Sequence, residues 1–264
     1  MKTRITSSLR SALAVASAFV LPAFASAQVL YSWQFNDVAG TALNATASST
    51  GVLFNNAITG VTTNGTGGLS VGYNSTSSTR TFADVPDIST GILQLDVVVA
   101  SWDFSGVTAE PGFGPLIEFG FAPAINSTNG TTRTALIQFA ADNVEADIIG
   151  VASGTGGTNT PLGLNAFGRV QSTPITFRLV ANFITDTYTV SSSANNFVTA
   201  ASGTMDPTRG ANFIQIRTLD NFTAGGGTFI VDSLTVTAIP EPAAATALAG
   251  IAILGLAATR RRRA

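Results

Sequence analysis

The chain has 264 residues, 13 of them basic and 15 acidic, and contains neither His nor Cys. That removes the Ser-His-Asp triad, the usual general base and most zinc sites, and it leaves the fold to hold itself together without disulfides. Between residues 28 and 239, six Arg, no Lys and fourteen acids give a net charge of −8, which disfavours nucleic acid and anionic membrane as partners because each needs a basic surface.

Lys2, Arg4 and Arg10 form a positive leader, Ala12 to Phe24 an apolar core, and Ala25-Ser26-Ala27 a small-residue cleavage site. This is the pattern of a secretory signal-peptide helix over residues 1–27, removed after Ala27 to leave Gln28 as the new N-terminus. Residues 28–239 then form the mature domain, a size that suits one all-β unit.

Tyr31-Ser32-Trp33-Gln34-Phe35-Asn36 alternates aromatic and polar residues, the period of a half-buried strand. Short strands are expected at Val52–Ile58 and Leu69–Tyr73, separated by a Gly/Thr/Asn loop over Gly60–Gly68, and another at Arg80–Val85. Ile92–Phe104 is the longest candidate. Leu93, Leu95, Val97 and Val99 take one face; Gln94, Asp96, Val98, Ala100 and Trp102 take the other. Further alternating runs lie at 117–121, 135–141, 144–151, 177–183, 188–191, 213–219 and 228–238, with turn signals at Asp142-Asn143, Thr185-Asp186 and Asn195-Asn196. No helical period appears between the two terminal segments, and no repeat of fixed length. Strands joined by turns at this spacing predict an antiparallel β-sandwich.

The chain ends on Pro240-Glu241-Pro242, an uncharged stretch from Ala243 to Thr259, and Arg260, Arg261, Arg262 and Arg263. The two prolines break the fold. The 17 uncharged residues would make a helix of about 25 Å, the short end of a transmembrane span, and the arginines hold its last end in the cytoplasm. Read plainly, 240–264 is a membrane anchor. The order of motif, span and basic cluster resembles the PEP-CTERM sorting signal of Gram-negative bacteria. The resemblance implies an exosortase-type membrane protease as partner, an inner-membrane-anchored precursor, and a final place at the cell surface or in the extracellular matrix of an exopolysaccharide-producing cell.

The domain also resembles laminin-G and concanavalin-like jelly rolls. Trp33 to Asp37 with Gly40 is similar to their opening strand and loop, Phe177–Val190 to their central hairpin, and Phe229–Leu234 to their closing strand. Three kinds of site follow. Jelly-roll β-glucanases carry Glu-x-Asp-x-x-Glu on one strand; here Glu145-Ala146-Asp147-Ile148-Ile149-Gly150 has Gly where the second Glu would stand, so no catalytic pair is assigned. A glycan face would stack sugar rings on an exposed aromatic and bind hydroxyls with polar side chains. Gln94, Asp96, Trp102 and Arg178 are its candidates, with Glu118, Gln138 and Asn182 joining if they share that sheet. Trp102 is then expected at the rim and Trp33, in phase with Tyr31 and Phe35, in the core. Calcium is implied by the resemblance alone: Asp232 and Asp37, with Asn36, fall where many jelly rolls bring their last and first strands to such a site; no other cofactor is expected. The sequence thus predicts an exported surface or matrix protein with exopolysaccharide as candidate ligand. The alternatives are a polysaccharide-cleaving enzyme and a structural or adhesive protein without a ligand.

Overall fold

Period-two alternation becomes antiparallel sheet almost wherever it occurs. The computed structural model describes residues 27–58, 60–71, 79–88, 91–105, 108–109, 114–124, 134–141, 145–152, 160–161, 167–199, 201–218, 222–223 and 228–240. Of these, 79–80, 86–88, 108–109, 114–116, 140–141, 145–152, 160–161 and 222–223 are described by their backbone only. The expected signal-peptide segment with Ala25, and the tail from Glu241 and Pro242 to Arg260–Arg263, lie outside the described residues, as does the turn expected at Asp142-Asn143. Among the described residues no helix is long and apolar enough to cross a membrane.

In chain order the strands are β1 (Gln28–Trp33), β2 (Val61–Thr63), β3 (Leu69–Val71), β4 (Thr79–Ile88), β5 (Ile92–Asp103) and β6 (Thr108–Ala109). Then come β7 (Gly114–Ala122), β8 (Ala135–Ala141), β9 (Glu145–Ala152), β10 (Thr160–Pro161), β11 (Phe167–Gly168) and β12 (Val170–Gln171). The last six are β13 (Ile175–Asn182), β14 (Thr187–Ser192), β15 (Ala201–Thr204), β16 (Ala211–Thr218), β17 (Phe222–Thr223) and β18 (Thr228–Ile239). A nine-stranded sheet runs β15-β14-β13-β5-β18-β3-β2, with β1 also on β18 and β12 also on β5. A seven-stranded sheet runs β10-β9-β8-β7-β16-β4, with β11 on β9; β6 and β17 pair apart from both. All these pairings are antiparallel. The domain is therefore an antiparallel β-sandwich of the jelly-roll kind.

The inner faces are those the alternation marks. Leu93, Leu95, Val97 and Val99 on β5, Phe177 and Leu179 on β13, and Leu234 and Val236 on β18 join Ile117, Phe119 and Phe121 on β7, Ile137 and Phe139 on β8, and Ile214 and Ile216 on β16 in one core. Aromatic rings tie the sheets together: Phe139 lies 5.1 Å from Phe177 and 5.1 Å from Phe229, both edge-on. Each such fully buried ring contributes about 1.5–3 kcal/mol over an exposed one. Trp33 is wholly buried, as its phase predicts, and packs 5.1 Å from Phe54.

Two expectations near the start need correction. Val52–Ile58 is not a strand; it meets β4 through an isolated bridge from Phe54 to Ala83 and through hydrogen bonds of Asn55 and Asn56 to Phe82 and Thr81. The supposed loop over Gly60–Gly68 instead contains β2, which pairs with β3 as a hairpin. Val61-Thr62-Thr63 is a β-branched run that suits a pleated strand, and the glycines that hide it belong to the turn. Gly65 and Gly67 there have φ of 77° and 89°, and the loop is closed by Asn64 N–H donating to Gly68 O at 2.8 Å. Elsewhere the turn residues behave as expected: Asp186 and Asn196 both take left-handed backbone conformations, at φ 52° and 57°.

β18, the last strand, is central in its sheet. β5 lies along one side and β1 and β3 along the other. Gln28, where the domain's first strand begins, stands opposite Ala238, near where its last strand ends.

Candidate functional site

Simple alternation places Trp102 on the polar outer face of β5, and the structure overturns that. Opposite β5, Ile230 pairs with Ser101 but Val231 pairs with Val99, so Ala100 is an extra residue: a β-bulge. One inserted residue reverses the facing of everything beyond it. Trp102 therefore turns inward and is 3% exposed. Its ring meets Phe104, Phe167, Phe177 and Phe229 at centroid distances of 5.7–6.5 Å, and Nε1 donates to Gly168 O at 3.0 Å. Trp102 is a core residue, not a sugar platform.

Gln94, Asp96 and Arg178 do meet, on the outer face of the nine-stranded sheet, where Arg178 and Asp96 are register partners. Arg178 holds Asp96 through two parallel hydrogen bonds, Nε to Oδ1 at 2.8 Å and Nη2 to Oδ2 at 2.9 Å. Gln94 Nε2 donates to the same Oδ2 at 2.9 Å. The ring of Phe197 covers the guanidinium carbon at 4.1 Å, a cation–π contact made possible by a left-handed backbone at Phe197, φ 58°. The hydrogen bond to Asp96 raises the Arg178 pKa above its ordinary value, against the opposing effect of partial burial. Asn182 sits on the same strand, but its Oδ1 accepts from Ile184 N and Thr185 N and shapes the turn. Most of the cluster is spent on itself: Asp96 takes Nε and Nη2 of Arg178 and the amide of Gln94, and the aromatic ring beside it, Phe197, lies on the guanidinium.

Glu118 and Gln138 do not join that face. They lie on β7 and β8 of the other sheet, as register partners, in phase with its outer side. Arg217 on β16 pairs with Glu118 in register and in charge, Nη1 to Oε2 at 3.3 Å. Gln215, two residues earlier, is fully buried, and among the described residues neither its Oε1 nor its Nε2 has a hydrogen-bond partner. Phe82, Phe213 and Leu136 flank this row outside the main core, Phe82 and Phe213 edge-on at 6.2 Å. Gly120, opposite Gln215, has no room for a side chain, because an added Cβ would come within 2.2 Å of Ala135 O. A buried amide without partners costs about 1–3 kcal/mol, and Gln215, with no exposed surface, places that cost on this sheet. The alternation Phe213, Gln215, Arg217 against Ile214 and Ile216 was there to be read in the sequence; what periodicity cannot show is that both faces of this sheet are buried.

The remaining candidates lie elsewhere in the fold. Asp232 is the extra residue of a second bulge, between Val231 opposite Val99 and Ser233 opposite Val98, and Asp37 lies in the loop after β1. Among the described residues no group of three or more acidic or other ligating side chains could hold a metal. Glu145, Asp147 and Gly150 share β9, with Gly150 opposite Ile137 and Thr160; their side chains are outside the described residues.

No protein-family model and no curated protein matches the chain. Among solved structures it is similar to a conserved carbohydrate esterase from the Shiga toxin-encoding bacteriophage phi24B, at 12% identity and a TM-score of 0.51, over 81% of this chain and 100% of that one. The carbohydrate recognition domain of Emp47p matches at 12% identity and TM-score 0.47, over 79% of this chain and 95% of that one. The botulinum neurotoxin serotype D binding domain matches at 10% identity and TM-score 0.47, over 80% of this chain, which spans about half (48%) of that one. At these identities the likeness to the phage esterase is one of fold.

Proposed function

We propose that the chain is an exported surface or extracellular-matrix protein of a Gram-negative bacterium, sorted by an exosortase-type membrane protease through its C-terminal signal, whose sandwich binds exopolysaccharide. The observation that supports the sorting is where the first described strand starts and the last one stops. β1 begins at Gln28, directly after Ala27, and β18 ends at Ile239, directly before Pro240. Removal of residues 1–27 and a cut at Pro240-Glu241-Pro242 would each leave every strand whole. The points where the two terminal segments join the sandwich also lie side by side, since Gln28 and Ala238 are cross-strand partners, about 5 Å apart between Cα atoms in such a pair.

Support for the ligand comes from the seven-stranded sheet. Amides donate to and accept from hydroxyls and carboxylates accept from them, and Glu118, Gln138, Gln215 and Arg217 lie on neighbouring strands of one face, where Arg217, 14% exposed, is the group a glycan could reach without rearrangement. The sandwich itself supports a binding scaffold only as a fold.

Cell fractionation tests the reading. The native chain should accumulate beyond the inner membrane in a form that lacks its tail. A variant with Arg260, Arg261, Arg262 and Arg263 replaced by Ser should be held less firmly before processing, because the cytoplasmic anchor is gone. Finding the native chain outside the inner membrane with its tail intact would refute the sorting.

A further inference from the structure

We infer that the mature protein begins with a pyroglutamyl lactam at Gln28 and so carries no primary amine at all. The inference rests on the export and cleavage after Ala27 proposed above. Cleavage frees the α-amine of Gln28, and glutamine is the amide residue whose side chain can close a five-membered ring on its own amine. The α-nitrogen attacks Cδ, the N–Cδ bond forms, and the Cδ–Nε2 bond breaks. Nε2 leaves as ammonia with a proton from the α-amine, so no oxidant or co-reactant is required.

The fold leaves this residue free to react. Gln28 is exposed, and no hydrogen bond or other contact ties its side chain among the described residues. It is the outermost residue of β1, opposite Ala238. The lactam nitrogen keeps one N–H, so the residue can hold that strand position as a neutral group after closure.

Composition gives the closure its consequence. Lys2 is the chain's only Lys and leaves with the signal peptide, so the α-amine of Gln28 is the one primary amine left to the mature domain. Once it is closed, no amine remains to be acylated or joined to a neighbouring protein or glycan, and aminopeptidases find no free end. Covalent attachment to a matrix through an amine of this chain is then closed.

The test labels the intact exported protein with an amine-reactive ester before digestion and reads its N-terminal peptide by mass spectrometry. We expect a peptide that begins at residue 28, lighter by one ammonia and without label, while a Gln28→Ala variant takes one label per chain. A peptide that begins at Gln28 and carries the label overturns the lactam and leaves the export reading standing. A peptide that begins elsewhere overturns the cleavage after Ala27, and the lactam falls with it.

Discussion

Replacing Trp102 by Ala separates the bulged structure from the simple alternation that would expose this ring. In the structure Trp102 packs against four Phe rings, is 3% exposed, and spends its one donor on Gly168 O. A large-to-small change of this kind in a core costs about 3–5 kcal/mol, against a total of roughly 5–15 kcal/mol for a domain. At roughly 2–4 °C per kcal/mol for a domain of this size, thermal unfolding of the exported protein should fall by roughly 6–20 °C. Trp33→Ala, in the same core, should behave alike. Trp102→Phe restores a ring and loses only the indole donor; Gly168 is exposed and its carbonyl can turn to water, so the loss from the hydrogen bond should be nearer 1 kcal/mol. A Trp102→Ala protein that unfolds within about 2 °C of the native one would put the ring at the rim and refute the bulge.

Gln215→Leu fills the same space without an amide. It should raise stability by about 1 kcal/mol or more, because a buried group without partners is removed; a loss of stability in thermal unfolding would show that the amide is satisfied in the folded protein. The pH profile is the other check. With no His in the chain, stability should vary little between about pH 5 and 8. Asp103 and Asp206 have carboxyls held below their ordinary range, first by side-chain hydrogen bonds from Ser105 and Thr208. A depressed folded pKa adds stability that is complete above the ordinary value of about 3.9 and is lost as pH falls through the lower folded value, so equilibrium unfolding followed against pH should show the loss only on the acid side. A transition centred near neutral pH would contradict this assignment.

Most of the sheet was legible because burial on one face writes a period of two into the residues. β5 up to Val99, β13, and β18 on either side of its bulge at Asp232 follow that rule, and so does the burial of Trp33, while β7 and β8 alternate in sequence although their described side chains are buried on both faces. The misreadings share one cause. A bulge adds one residue without changing composition, so Ala100 gives no warning that Trp102 has changed sides. β2 was hidden for a related reason: three β-branched residues sit inside a Gly/Asn-rich stretch whose turn residues dominate the local pattern. Pairing across sheets is equally silent in one chain read alone. Gln94, Asp96 and Arg178 could be placed on one face, and they meet there, but nothing in their spacing shows that Arg178 is already matched by Asp96 and Phe197. Nor does it show that Glu118 and Gln138 belong to the opposite sheet, beside Gln215 and Arg217. The terminal segments are expectations of the sequence alone, since charge, apolar length and a cleavage motif act without tertiary structure and both segments lie outside the described residues.

The most direct test of the account is the intact mass of the protein recovered from the cell surface or medium. The account predicts a chain that starts at residue 28 and ends within Pro240-Glu241-Pro242, without the Ala243–Thr259 span and without Arg260–Arg263. A recovered chain that still carries the span and the arginine cluster would contradict it.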